Sequence, residues 1–396
     1  MICARQSFRH QFLPLLTILI FTMLLAQTTH SFQVAILGSG IAGSSAARTL
    51  AEKGVQVTVF EVGFNIGGRS STRKTRDEFE YQFDHGAQYI GTPKTEAFRD
   101  TLNQWKSDGW VKEWSGRFMT ADGVEVKEDA PKERYVGYPR MNSICQNLLN
   151  HKNIRVTTQT RANASRNEVE KWELINDKTK KGLGTFDWLV ATDRISGDHY
   201  RRDLSNADIK EFTSGPVRNI KSVKSLTAMV VFEKPLGIDI DGVQFTGNDR
   251  AHYGSLGWAA RDTSKPGRER DDNKECWVLQ SHPDAAKDLS KGNRKVGQIR
   301  EIAKEVLVND FLKCMPHLLA GDKNDVQVPP VVATAIGHRW AAAFPIPPKE
   351  LVEMESQLIA SKTFVACGDY FKLPGRIEGA HLSGVAAANQ IYNEIS

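Results

Sequence analysis

One stretch near the start of the chain constrains the fold more than any other. Gln33-Val34-Ala35-Ile36-Leu37 is a continuous apolar run, the pattern of a strand buried on both faces of a parallel sheet. Gly38-Ser39-Gly40-Ile41-Ala42-Gly43 turns out of it, and Ala46, Ala47 and Leu50 then recur at helical spacing as far as Lys53. Gly54 sits where a helix ends, and Val55, Val57 and Val59 alternate as a second strand reaching Glu61. A three-glycine turn by itself is weak evidence. Inside a complete strand–turn–helix–strand unit, with an acid 23 residues after the first glycine, it predicts dinucleotide binding.

The spacing gives these residues separate tasks. Gly38 permits the tight turn, Gly40 lets the backbone approach a pyrophosphate, and Gly43 lets helix and strand pack closely. Ser39, Ile41 and Ala42 complete the loop that aims the helix N-terminus at phosphate charge. Glu61 is expected to accept hydrogen bonds from an adenosine ribose. An acid there disfavours a 2′-phosphate, so NADP is not expected at this site. The alternative is a glycine-rich turn without a ligand.

Composition narrows the classes further. The chain has 396 residues, 52 basic and 47 acidic, for a formal charge of +5. That bias is too small to argue for nucleic acid, and no basic cluster with interleaved aromatics occurs. The length predicts about two domains. Five cysteines form no Cys-x-x-Cys pair, so neither a zinc site nor a disulfide framework is indicated. Cys145, Cys276, Cys314 and Cys367 lie in apolar surroundings and read as buried thiols. Neither a Gly-x-Ser-x-Gly elbow nor His-Glu-x-x-His is present, so hydrolysis and zinc chemistry have no support.

Residues 1–31 read as a secretory signal. Arg5, Arg9 and His10 precede an apolar run from Phe12 to Ala26, shorter than the roughly twenty residues a spanning helix needs. A small-residue exit follows at Thr29-x-Ser31. Pro14 and the missing Ala-x-Ala keep an uncleaved anchor open. The expected location is the secretory pathway, outside the cell or in an organelle reached through the ER, with no stable membrane span after cleavage. Asn163-Ala164-Ser165 is a glycosylation sequon.

After the second strand, Gly67-Gly68-Arg69 offers another close backbone approach and a cation for a diphosphate. Phe83-Asp84-His85-Gly86-Ala87-Gln88-Tyr89 follows. On these residues the chain resembles the flavin amine oxidase superfamily, and within it the renalase-like branch. In that superfamily the Gly-Gly-Arg binds FAD phosphate and an Asp-x-Gly-Ala-Gln-Tyr segment passes the flavin ring. The resemblance thus implies FAD as cofactor, held by Gly68, Arg69, Gly86, Ala87 and Gln88. Ile154-Arg155-Val156 resembles the strand that contacts adenine, Val156 included. Gly337-His338-Arg339-Trp340 resembles a motif near the flavin pocket. Val365-Ala366-Cys367-Gly368-Asp369 and Glu378-Gly379-Ala380-x-x-Ser383-Gly384 look like the C-terminal FAD motif. That last motif also reads physically. Thr363–Cys367 is a short buried strand, and a helix follows from about Gly379 with Val385, Ala388, Ile391 and Ile395 on one stripe. Its N-terminus suits the flavin edge where negative charge grows. Asp369 accepts from ribityl or ribose hydroxyls, or simply caps the helix.

The expected architecture is α/β: a discontinuous Rossmann-like FAD-binding domain (32–91, 137–193 and 331–396) with an inserted mixed or antiparallel-sheet substrate domain (92–136 and 194–330). Arg161–Thr192 reads as an antiparallel meander, Ser225–Phe232 and Glu275–Ser281 as strands, and Val296–Met315 as a helix. Arg261–Lys274 reads as a solvated charged loop. The resemblance implies hydride transfer from a small reduced substrate to flavin N5, with O2 as acceptor giving H2O2. The renalase-like branch implies a dihydronicotinamide and the wider superfamily an amine. A secreted flavoprotein with a non-catalytic binding role is the third reading. No protein partner is implied. Gln88, His338 and Trp340 are the candidate catalytic residues: Gln88 to hydrogen-bond a substrate amide or the flavin, Trp340 to offer a flat face. Arg339 could attract an anion. Each has a structural alternative, as core or as an ion-pair member. Ala341-Ala342-Ala343 follows Trp340 where the family carries larger side chains, and Ser281-His282-Pro283-Asp284-Ala285 lacks a Trp found in relatives. Both departures reshape the expected pocket.

Overall fold

Strand β1 (Gln33–Leu37) is buried beyond its first residue, as a continuous apolar run requires. It runs into helix α1 (Ile41–Glu52) and then β2 (Gln56–Phe60), which pairs with it in parallel, Val34 opposite Val57 and Ile36 opposite Val59. The connecting turn works only with glycine. Gly38 has φ +106°, and its N–H donates to the Phe60 carbonyl at 2.9 Å. A Cβ on Gly43 would lie 2.1 Å from the Gly38 oxygen, so the helix rests directly on the turn. The structure, a computed structural model, describes residues 32–123, 125–197, 204, 207–246, 250–318 and 330–396. The leader expected over 1–31 lies outside them.

Beyond β2 come helix α2 (Glu96–Ser107), strands β3 (Phe118–Asp122) and β4 (Glu125–Glu128), and then β5 (Ile154–Thr157). The expected meander follows as Ala162–Arg166, Trp172–Asn176 and Gly182–Phe186, and β6 (Trp188–Ala191) returns beside β1. Next are β7 (Lys221–Phe232), β8 (Gly242–Thr246), β9 (Leu256–Arg261), β10 (Glu275–Ser281), helix α3 (Val296–Leu318) and β11 (Val332–Ile346). The chain ends with β12 (Gln357–Ile359), β13 (Phe364–Ala366) and helix α4 (Ile377–Ile395).

Two large sheets result. The first has the order β5-β2-β1-β6-β13-β12 and is parallel except at edge strand β12. Val34, Ile36, Val57, Val59, Val190 and Val365 turn one face toward α1 and α4. Ala35, Leu37, Leu189 and Phe364 turn the other toward Trp172 and Leu174 of the meander. Cover on both faces is what a parallel sheet demands, and the outcome is the Rossmann-like α/β arrangement that the glycine turn predicts. Helix α4 lies against α1 at very short range. A Cβ on Gly384 would stand 2.2 Å from the Ala42 carbonyl oxygen.

The second sheet, β11-β7-β10-β9-β8-β3-β4, is antiparallel except between β8 and β3. Leu226, Ala228, Val230 and Phe232 pack on Ile299, Ala303, Leu307 and Phe311 of α3. The alternate residues Met229 and Val231, with Cys276 and Val278, pack on Tyr81 and Phe83 of the nucleotide-side segment. Residues 332–346, grouped above with the nucleotide-binding segments, pair with β7 from Lys221 to Phe232 and form an edge of this second sheet. Cys145, Cys276, Cys314 and Cys367 are buried free thiols, each pushed up to about 12 by burial. Among the described residues no helix is long and apolar enough to cross a membrane.

Gly384 tests this packing. Gly384→Ala should destabilise the protein by about 1–3 kcal/mol, because the helices must separate. Gly297→Ala, where a Cβ meets nothing within 4 Å, should be neutral or mildly stabilising. Equal denaturant midpoints for the two variants would refute the tight α1–α4 contact.

Candidate functional site

Two helix N-termini open on one cavity of about 570 Å3. Ile41 and Ala42 begin α1, while Ile377, Glu378 and Ala380 begin α4, and all line the cavity. Neither N-cap residue, Gly40 or Arg376, places a side chain over the free amides of its helix. Unspent N–H groups and two aligned dipoles therefore bias the cavity toward negative charge. The Gly67 N–H donates to the Ser39 carbonyl at 3.1 Å, which brings the second glycine turn onto the first. A Cβ added to Gly40 would meet nothing closer than 4.0 Å, so the floor between the turns is open to an approaching ligand.

Arg69 and Asp369, 300 positions apart, close this cradle. Arg69 Nη1 donates to Asp369 Oδ2 at 2.7 Å and Nη2 to Oδ1 at 2.5 Å, a bidentate pair. Nη1 also donates to the Ala343 carbonyl at 3.1 Å. The neighbouring Gly368 N–H donates to Ser383 Oγ of α4 at 3.0 Å. Of the residues expected to hold a cofactor, Gly40, Ile41, Ala42, Arg69, Gly368, Asp369 and Ala380 line the cavity. Gly38, Ser39, Gly43, Gly68 and Gly379 shape backbone around it without lining it. Glu61 also lies outside the lining. Its Oε2 accepts from the Ser39 N–H at 3.0 Å and Ser39 Oγ at 2.6 Å, and Oε1 from the Gly63 N–H at 2.6 Å. Val156 lies in β5, opposite Val59, and is likewise outside the lining.

The segment 84–89 forms the boundary between the two sheets. A Cβ on Gly86 would fall 2.0 Å from the Arg69 oxygen, which accepts from the Ala87 N–H at 2.8 Å. Side chains from the second sheet fasten the carbonyls: Gln280 Nε2 donates to Gly86 at 2.8 Å and Trp340 Nε1 to His85 at 2.9 Å. Gly86, Ala87 and Gln88 line the cavity. The Gln88 amide, however, is already used. Nε2 donates to the Asp84 and Gly86 carbonyls at 2.5 and 3.1 Å, and Oε1 accepts from Lys265 Nζ and Trp258 Nε1 at 3.3 and 3.4 Å. The geometry gives Gln88 a positioning role for its own loop while it also lines the cavity.

A buried charge network stands behind that loop. Asp84, Asp262 and Lys265 are fully buried, and Arg268 nearly so. Lys265 Nζ lies 2.6 Å from Asp262 Oδ1 and 3.6 Å from Asp84 Oδ2. Arg268 Nη2 lies 2.6 Å from Asp84 Oδ2. Asp262 Oδ2 accepts the Asp84 N–H at 3.0 Å, and Thr72 Oγ1 donates to Asp84 at 2.5 Å. Burial opposes ionisation of Asp84, yet Arg268, Lys265 and Thr72 together hold its carboxyl below the usual range. The loop 261–274, expected to be merely solvated, thus supplies three of these four charges. Composition could not reveal that, because their partner Asp84 lies in another part of the chain.

His85, His338 and Trp340 form an aromatic trio at the same boundary. His85 stacks on Trp340 with centroids 5.1 Å apart, and His338 meets both edge-on at 4.8 and 4.5 Å. Burial, helped by Arg73, pushes His85 down to about 4. Burial, His85 and Arg300 push His338 to about 3, so both rings are neutral at physiological pH. Trp340 lines the cavity; His338 does not. Arg339 pairs with Leu226, whose side chain packs toward α3, and strand alternation therefore turns it away from the cavity. Tyr89 and Trp258, rings 5.8 Å apart, complete the apolar wall beside Gln244, Ser225 and Ser281. Tyr89 is visible in the sequence only as part of the 83–89 segment. The others are single residues on strands and carry no local signature.

The fold and the cavity together define a Rossmann-like α/β protein with a largely antiparallel second sheet beside the cavity. Residues 36–105 match the family described as NAD(P)-binding Rossmann-like domain. The chain is 40% identical over 70 residues to amine oxidase [flavin-containing] A of Canis lupus familiaris, covering 18% of this chain and 13% of the relative. It is 40% identical over 68 residues to the Bos taurus protein of the same name, covering 17% and 12%. The chain therefore spans about an eighth of the length of these relatives.

Lys265 tests the network. Lys265→Met leaves buried carboxylate charge uncompensated and should cost about 3–5 kcal/mol in urea unfolding, with partial recovery when Asp262→Asn is added. A Lys265→Met protein as stable as the wild type would show that the network is solvated.

Proposed function

We propose that the protein is an FAD-dependent oxidoreductase that takes a hydride from a small, planar, reduced substrate. The observation that carries this reading is the convergence of two uncapped helix N-termini, the Arg69–Asp369 pair and the 84–88 segment on one cavity beneath the second sheet. These residues fit the cofactor. The open floor at Gly40 and the amides of α1 suit a diphosphate, and the start of α4 suits the electron-rich edge of a flavin. When bound, FAD would accept the hydride and pass the electrons to O2, giving H2O2. The chain's own residues orient and exclude water: Gln280, Gln88 and Trp340 pin the loop carbonyls, while Trp340, Trp258 and Tyr89 present ring faces to a flat substrate.

A dihydronicotinamide-type heterocycle is the substrate class this wall favours. Neither lining carboxylate is free to receive an ammonium group. Asp369 holds Arg69, and Glu378 accepts from the Lys94 and Thr95 N–H groups and Thr95 Oγ1 at 2.8–3.0 Å. An amine substrate is the second reading, supported by the identity to flavin-containing amine oxidase A.

Stopped-flow mixing of the FAD-loaded protein with isomeric dihydronicotinamides and a panel of amines tests both readings. Rapid bleaching of the flavin band by a dihydronicotinamide, with peroxide formed on reoxidation, is expected. Bleaching by amines alone selects the second reading, and a protein that takes up no flavin overturns both. Arg69→Ala should lower flavin affinity by about 1.5–3 kcal/mol, as expected for losing hydrogen bonds to a charged group. Undiminished FAD occupancy in that variant would remove Arg69 from the cofactor site.

A further inference from the structure

The cavity carries one positive charge that no described residue balances. Three lysine or arginine residues line it: Arg69, Arg376 and Lys224. Arg69 is paired with Asp369, and Arg376 Nη2 lies 3.4 Å from Glu378. Lys224 has no ion-pair partner among the described residues. Its position is also irregular. Side chains alternate along a strand, so neighbours should point to opposite faces. Lys224 and Ser225 are consecutive, yet both line the cavity.

A bulge is the cause. Along β7 and β11 the register runs Leu226 opposite Arg339 and Ser225 opposite Trp340, then jumps to Val223 opposite Phe344. Ala341, Ala342 and Ala343 stand opposite the single residue Lys224, so the β11 side carries two extra residues. Bulges re-aim side chains, and small residues allow one here without filling the space. The bulge is anchored to the cofactor cradle, because the Ala343 carbonyl accepts from Arg69 Nη1 at 3.1 Å. Lys224 thus stands on a cavity whose other lining cations, Arg69 and Arg376, and both lining carboxylates are already committed.

We propose that Lys224 is a specificity-determining residue, and that the substrate carries an anionic group, a phosphate or a carboxylate, which this ammonium binds. The inference rests on the oxidoreductase reading above, since it concerns the same cavity. An ammonium acts here as a point charge with three donors, suited to either anion. A hydride donor with such a group is held by its ring against Trp340 and Trp258 and by its anion at the bulge, which limits sliding along the cavity.

Calorimetric titration of the FAD-loaded protein with two matched pairs tests this: nicotinamide mononucleotide against nicotinamide riboside, and nicotinate against nicotinamide. At least one anionic member should bind roughly tenfold or more tighter than its neutral partner, weakening with added salt. The phosphate pair discriminating alone indicates a phosphate tail, and the other pair a ring carboxylate. Lys224→Met should erase the difference and Lys224→Arg should retain it, with thermal midpoints confirming that both variants fold. No discrimination by the wild type, or discrimination that survives Lys224→Met, overturns the inference. Flavin content and reduction are measured on the same samples. A flavin-loaded, substrate-reducible protein without anion preference sinks the Lys224 assignment alone. Anion preference in a protein whose bound flavin neither dihydronicotinamides nor amines reduce sinks the oxidoreductase reading alone.

Discussion

The approach of α4 to α1 is the constraint on which the remaining structure depends. The two helices touch through the missing side chain of Gly384 at the Ala42 carbonyl. Their strands are neighbours but one in the parallel sheet, with β6 between β1 and β13. That proximity sets two N-termini side by side and brings Asp369 within reach of Arg69. Widening the contact by one methyl group would move the positive ends of both helices, the ion pair and the start of the β11 bulge together.

The second sheet is tied to the first by polar contacts of unusual burial. Lys265, Arg268, Asp84 and Asp262 trade two cations against two carboxylates with water excluded. Such a group adds little net stability over an apolar equivalent, but each member is costly to lose alone. What it adds here is definition. The Asp84 N–H and carboxylate are held from different directions, and Gln88 is held by Lys265, so the intervening backbone has one geometry.

The nucleotide cradle is legible in the sequence because its information is local. Apolar runs, glycines at set intervals and an acid at the strand end each report their own surroundings. Asp369 is legible only by resemblance, since nothing around it names Arg69. The charged loop misleads because Asp262, Lys265 and Arg268 look the same whether they face water or one another; their burial depends on Asp84, 178 positions from Asp262. Gln88 is found in the expected place with a further task, because its amide binds carbonyls two and four residues before it. Trp258 and Gln244 escape notice since their direction follows from sheet register, and Lys224 since its direction follows from a break in that register.

The four cysteines among the described residues give the molecule a chemical property of its own. With each thiol raised to about 12, the reactive anion is roughly one part in a hundred thousand at neutral pH. A catalyst of the proposed kind sheds an oxidant at its own doorstep, turnover after turnover. Sulfur kept this dry and this protonated is a poor nucleophile toward that oxidant and toward foreign disulfides.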